Sequence, residues 1–117
     1  MELKIRKNGE TYIIDVSGEL DLYNSYKLKE LVTGMIEKNV HTFIINLEQV
    51  DYIDSSGVGA LIYVYSTAKK LNIRMTLVHI HGSVQKVIEM SKLTAYFPPI
   101  APSVEDALTV LHTGGGA

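Results

Sequence analysis

The sequence predicts a single α/β domain. Its core is a mixed, mainly parallel sheet of about four or five strands, with an antiparallel hairpin at the N-terminal edge and about four helices. Three observations carry this. Asn8-Gly9 separates an alternating charged and apolar stretch from the apolar-rich Tyr12 to Val16, a strong short-range hairpin signal. Segments with apolar residues at helical spacing then alternate with short apolar runs, as when helices link parallel strands. One of those runs, Phe43-Ile44-Ile45, is continuous, as expected of a strand covered on both faces.

The elements follow in order. Leu3 and Ile5 alternate with Glu2, Lys4 and Arg6, the period of a half-exposed strand. Asn8-Gly9 suits a type I′ turn, which needs two positive φ angles, and Tyr12 to Val16 returns, giving a hairpin over about residues 2–17. Leu28, Leu31, Val32, Met35 and Ile36 predict a helix over about 24–39. His41 to Leu47 predicts a strand. Val58, Leu61, Ile62, Tyr65 and Ala68 predict a second helix over about 56–71. Met75, Leu77 and Val78 mark a strand, and Val84, Val87 and Ile88 a third helix over about 83–91. Pro98 to Pro102 reads as an irregular connection. Ser103-Val104-Glu105-Asp106 resembles a capping box ahead of a last helix carrying Val104, Ala107, Leu108 and Leu111 on one face. Residues 1–112 are expected to form the domain, and Thr113-Gly114-Gly115-Gly116-Ala117 a flexible tail. If the strands lie in sequential order, the crossover helices share one face of the sheet.

The bulk properties narrow the function classes. The chain has 117 residues, enough for one domain with a real core. It has no cysteine, which removes disulfides, thiol catalysis and thiolate metal sites. A formal net charge of -2 gives no bulk attraction to nucleic acid or anionic lipid. The first residues alternate charge and hydrocarbon, unlike a signal peptide, and no apolar run approaches the roughly 20 residues of a membrane span. A cytoplasmic protein is expected.

The segment from Val50 to Ala60 breaks local rules. Asp54, Ser55 or Ser56 can each cap the following helix, yet Gly57 and Gly59 fall in its first turns, each costing about 1 kcal/mol relative to alanine. Such violations mark candidate functional sites, and glycines there let another backbone or a ligand come close. A phosphate on Ser55 would suit a helix N-terminus. With Asp51, Asp54 and Asp21 nearby, its added charge of about -1.5 to -2 would concentrate negative charge on one surface and repel a docked partner. An ordinary helix cap with small residues for tight packing explains the same residues.

Longer motifs extend the reading. Asp54-Ser55-Ser56-Gly57-Val58-Gly59 resembles the D-S-[ST]-G-[LV]-G motif of STAS-domain anti-sigma factor antagonists. Gly18-Glu19-Leu20-Asp21 is similar to their G-E-[LI]-D motif. Glu89-Met90-Ser91-Lys92-Leu93 resembles their [FD]-M-[ST]-G-L stretch, with Lys92 at the usual glycine. The resemblance spans essentially the whole chain and implies a STAS-like fold. It also implies that Ser55 is the phosphoacceptor and Ser56 a supporting residue, with Asp21 and Asp54 on acidic positions beside the acceptor. The implied contact surface comprises Asp21, Leu22, Tyr23, Asn24 and Ser25 together with Asp54, Ser56, Gly57, Val58 and Gly59. The implied partners are an anti-sigma factor that is also a GHKL-type, ATP-bound serine kinase, and a PPM-type, metal-dependent serine phosphatase. The family member has no enzymatic activity, cofactor or metal of its own, and a monomer is expected. STAS domains also occur in anion transporters, lipid-transport complexes and stress-sensing assemblies; the intact Asp54-Ser55-Ser56-Gly57 favours the antagonist over a non-switching scaffold or lipid-transport subunit.

Other chemistries fit less well. Ser55 with an aspartate and one of His41, His79, His81 or His112 gives the residue types of a serine hydrolase, but D-S-S-G is not the G-x-S-x-G elbow. His79 and His81 lack an evident third ligand. Gly57-Val58-Gly59 lacks the third glycine and later acid of a dinucleotide loop. Tyr23, Tyr26, Tyr63 and Tyr65 lack the interleaved basic residues of a nucleic-acid platform.

Overall fold

The computed structural model describes residues 1–91 and 98–113. Lys92 and Leu93 of the third motif and the glycines of the tail lie outside them. Five strands form one sheet in sequential order: β1 (Glu2–Asn8), β2 (Thr11–Leu20), β3 (Thr42–Ile53), β4 (Arg74–Val78) and β5 (Ile100–Ala101). β1 is antiparallel to β2, and the other pairings are parallel. Four helices complete the fold: α1 (Ser25–Glu37), α2 (Ser55–Lys70), α3 (Gly82–Met90) and α4 (Val104–Thr113). α4 thus reaches one residue into the stretch read as a tail.

The hairpin forms one residue later than its sequence signal. Asn8 pairs with Thr11, so the two-residue loop is Gly9-Glu10. Only Gly9 has positive φ, at +62°. A glycine in the first central position is the type II′ arrangement rather than type I′. It sets the register that pairs Leu3 with Val16 and Ile5 with Ile14.

Alternation along the strands divides the core in two. Ile14, Phe43, Ile45, Met75 and Leu77 face the larger cluster, where Leu28, Val32, Leu61, Val64, Val84 and Ile88 come from α1, α2 and α3. The intervening Ile13, Ile44 and Val78 point the other way and meet Val104 and Ala107 of α4. The three crossover helices therefore share one face, and α4 covers part of the opposite one. Phe43, Ile44 and Ile45 are fully buried, which accounts for a run with no polar alternation.

α1 and α2 end in the same way. Asn39 and Asn72 take φ of 66° and 58°. The Val40 and Ile73 amides donate to the Met35 and Ala68 carbonyls, while the Asn39 and Asn72 amides donate to Ile36 and Lys69. This is the Schellman arrangement, with asparagine in the left-handed position. α4 begins with half of the expected box: the Asp106 amide donates to Ser103 Oγ at 3.1 Å, but the Asp106 carboxylate accepts from that hydroxyl, at 2.9 Å, where a capping box has it accept from the Ser103 backbone amide.

Candidate functional site: the paired starts of α1 and α2

β2 and β3 are parallel neighbours whose last pairs match Leu20 with Ile53. The chain leaves both strands at the same end of the sheet, so two motifs about thirty residues apart in sequence emerge side by side. The ends of parallel strands are where α/β sheets place their sites. The Asp54 amide donates to the Leu20 carbonyl at 3.3 Å, extending the β2–β3 contact into the loops.

Of the three candidate caps, Asp54 is the one used. It sits in extended backbone before α2, and its Oδ1 accepts from the Ser56 and Gly57 amides at 2.9 and 3.0 Å. These are the second and third residues of the helix, the donors a cap serves. Its Oδ2 accepts from the Leu22 amide at 3.1 Å. Ser55 is relieved of capping. It is the first residue of α2, exposed, and its hydroxyl makes no hydrogen bond among the described residues. Ser56 is half-buried.

The two glycines do different work. A Cβ on Gly57 would sit 2.2 Å from the Leu20 carbonyl oxygen and 2.6 Å from Ile53 Cγ1. Gly57 is buried and lets α2 rest directly on the end of β2; the backbone that comes close to it is the chain's own. Gly59 is exposed, with nothing within 4 Å of an added Cβ. It lies one turn beyond Ser55 on the same side of the helix and leaves the hydroxyl uncovered.

Asp21 is also placed differently from a bare acid beside the acceptor. It is buried, and its Oδ1 accepts from the Tyr23 amide, the Asn24 amide and Asn24 Nδ2 at 3.0 to 3.1 Å. It organises the turn that starts α1, and its backbone carbonyl accepts from Ser25 at 2.8 Å. Ser25 and Val58 are buried as well, and Asn24 is half-buried. The side chains turned outward are Leu22 and Tyr23, 65% and 79% exposed, with Ser55 and Gly59 beside them. Exposed Glu19 and Asp51 add acidity to this end.

Sequence reasoning missed one feature. An apolar groove of about 380 Å³ runs between α2 and α3, lined by Ser55, Val58, Gly59, Ile62, Val87, Met90 and Ser91. Met90 is 77% exposed. The available signal was the Glu89-Met90-Ser91 motif, of which Met90 and Ser91 line the groove together with Ser55.

Two histidines of the rival readings, His79 and His81, are held at Glu48. His81 Nε2 lies 2.8 Å from the Glu48 carbonyl, and His79 Nε2 lies 3.6 Å from Glu48 Oε2. Lys29 and Lys69 cover the rings of Tyr63 and Tyr65 at 5.1 and 6.0 Å. No helix among the described residues is long and apolar enough to cross a membrane.

Comparison with known proteins agrees with this geometry. The STAS-domain family model matches residues 2–107. The anti-sigma-B factor antagonist of Staphylococcus aureus is 32% identical over 83 residues, covering 71% of this chain and 74% of that protein. The fold is shared with the anti-sigma factor antagonist SpoIIAA in its unphosphorylated form, at a TM-score of 0.72 and 23% identity over 96% of this chain and 99% of that one. It is shared equally with the Bacillus cell fate determinant SpoIIAA in its phosphorylated form, at 0.71 and 24% over 94% and 99%. This chain belongs to the STAS-domain family of anti-sigma factor antagonists.

Proposed function

We propose that this chain is the phosphorylatable member of a partner switch. Unphosphorylated, it binds an anti-sigma factor that is also an ATP-bound, GHKL-type serine kinase, and the sigma factor is released. Transfer of a phosphoryl group to Ser55 ends the binding, and a PPM-type serine phosphatase restores it. The chain has no catalytic activity of its own; it is a substrate presented to another protein's active site, and it works in the cytoplasm.

The observation that carries this reading is the division of labour between neighbours: Asp54 caps α2, which leaves the Ser55 hydroxyl at the helix start exposed and without a hydrogen bond among the described residues. A phosphate there lies at the positive end of α2, so the fold tolerates it. It also adds bulk and about -1.5 to -2 charges in the middle of the surface formed by Leu22, Tyr23 and Gly59. Binding is lost without refolding.

The test is incubation with the anti-sigma factor kinase of the same genome and ATP, followed by mapping of the phosphate and measurement of complex formation. Ser55→Asp should remain folded, because an acid suits a helix N-terminus, and should bind the kinase poorly. Equal binding by Ser55→Asp and wild type argues against a switch that works by charge. Hydrolytic turnover that disappears in Ser55→Ala would instead make the chain an enzyme.

A further inference from the structure

We infer that Asp54 is a positioning residue that locks the Leu22–Tyr23 loop to the Ser55 turn, so that both halves of the contact surface are presented as one unit. Its effect on binding rests on the function proposed above; the lock itself does not.

A helix cap needs one acceptor oxygen, and serine, asparagine or aspartate supplies it equally well. Asp54 uses both carboxylate oxygens on different elements. Oδ1 holds the Ser56 and Gly57 amides of its own helix, and Oδ2 holds the Leu22 amide from the preceding loop. Only a carboxylate does both, because the second atom of an asparagine side chain is a donor and would face the Leu22 donor. The link matters because Leu22 and Tyr23 are the outward side chains of that loop, 65% and 79% exposed, and have little packing to fix them. Asp21 fixes the loop internally through the Tyr23 and Asn24 amides, whereas the Asp54 oxygen ties it to α2. A surface held in its bound arrangement loses less freedom on association.

Two variants separate the lock from the cap. Asp54→Asn keeps an acceptor for α2 and loses the one for Leu22. Asp54→Ser caps with a single short oxygen that reaches only its own helix. Both should unfold near the wild-type midpoint and keep the Ser56 and Gly57 amides protected. In both, amide hydrogen exchange at Leu22 should accelerate by about tenfold or more, as local opening no longer breaks that bond. Unchanged exchange at Leu22 in both variants overturns the lock.

The coupling to binding is read by a double-mutant cycle with Tyr23→Ala against the kinase. Tyr23→Ala should weaken wild type by about tenfold, and Asp54→Asn by only about twofold further, because the loop is already loose. Independent, multiplicative losses overturn the coupling. Failure of wild type itself to bind the kinase would sink the proposed function, while Leu22 exchange would still decide the lock.

Discussion

α2 and α4 both begin at a serine with an acid close by, yet the two serines have opposite fates. At α4, Ser103 stands before the helix and its hydroxyl is consumed, accepting from the Asp106 amide and donating to the Asp106 carboxylate. At α2, Asp54 stands before the helix and takes the amides of its second and third residues, so Ser55 falls one residue inside and is exposed. A one-residue difference in who caps separates a structural serine from an available one. The comparison also explains why serine at a helix start is an ambiguous signal in sequence: both arrangements use residues that favour that place.

The largest effect expected on either helix start is at Gly57. Gly57→Ala places a methyl against the Leu20 carbonyl and Ile53, and overpacking of this kind costs about 3 kcal/mol, read as a lower denaturation midpoint. A midpoint equal to wild type would mean that α2 does not rest on β2 as described. The two serines should then separate cleanly. Ser103→Ala should lose about 1 kcal/mol of stability, the usual cost of a lost cap, with kinase binding unchanged. Ser55→Ala should stay within about 0.5 kcal/mol of wild type and lose phosphate incorporation. Similar stability losses in the two variants would erase the distinction. Gly59→Ala should stabilise the chain by about 0.5 kcal/mol, since the site is open and alanine favours helix, yet weaken partner binding by covering the approach to Ser55.

The smallest effect lies away from both helix starts. Burial pushes the Asp15 carboxyl up, but hydrogen bonds from Arg6 and Asn46, with the nearby charge of Arg6, outweigh it and hold the group below the ordinary aspartate value. A depressed folded value means that Asp15 stabilises the fold above its unfolded value of about 4. That contribution is lost as pH falls through the folded value. Because the Arg6 side chain is 52% exposed, solvent screens the pair and the effect is small. Asp15→Asn should flatten the acid limb of a stability-against-pH curve below about pH 4 and leave kinase binding at neutral pH unchanged. An acid limb as steep as that of wild type would exclude Asp15 as its source.

The sequence made the fold legible wherever burial followed a regular period, and it failed where pairing did not. The sequence pattern marks β3 only to Leu47, but the strand continues to Ile53. Its later buried residues, Leu47, Val50 and Ile53, fall three apart because the β2–β3 register shifts twice, between Asp15 and Ser17 and between Gly18 and Glu19. Alternation by two is the signal of a strand, and bulges erase it. β5 is two residues long and exists only through its pairing with β4, a partner that local sequence does not announce. At the site, the motif containing Ser55 was legible, but the choice among three caps was not, nor was the division between Gly57 and Gly59. Each depends on what stands opposite: the Leu20 carbonyl behind Gly57, open space beyond Gly59, and the Leu22 amide within reach of Asp54.

The central claim is that Ser55, freed from capping by Asp54, is the group that switches partner binding. The most direct measurement is phosphate mapping and complex formation after treatment of wild type, Ser55→Ala and Ser56→Ala with the kinase and ATP. The account predicts a single phosphate on Ser55 in wild type and Ser56→Ala, none on Ser55→Ala, and loss of the complex only where Ser55 carries it. Phosphate on Ser56 instead, or a phosphorylated Ser55 that still binds the kinase as tightly as before, would contradict it.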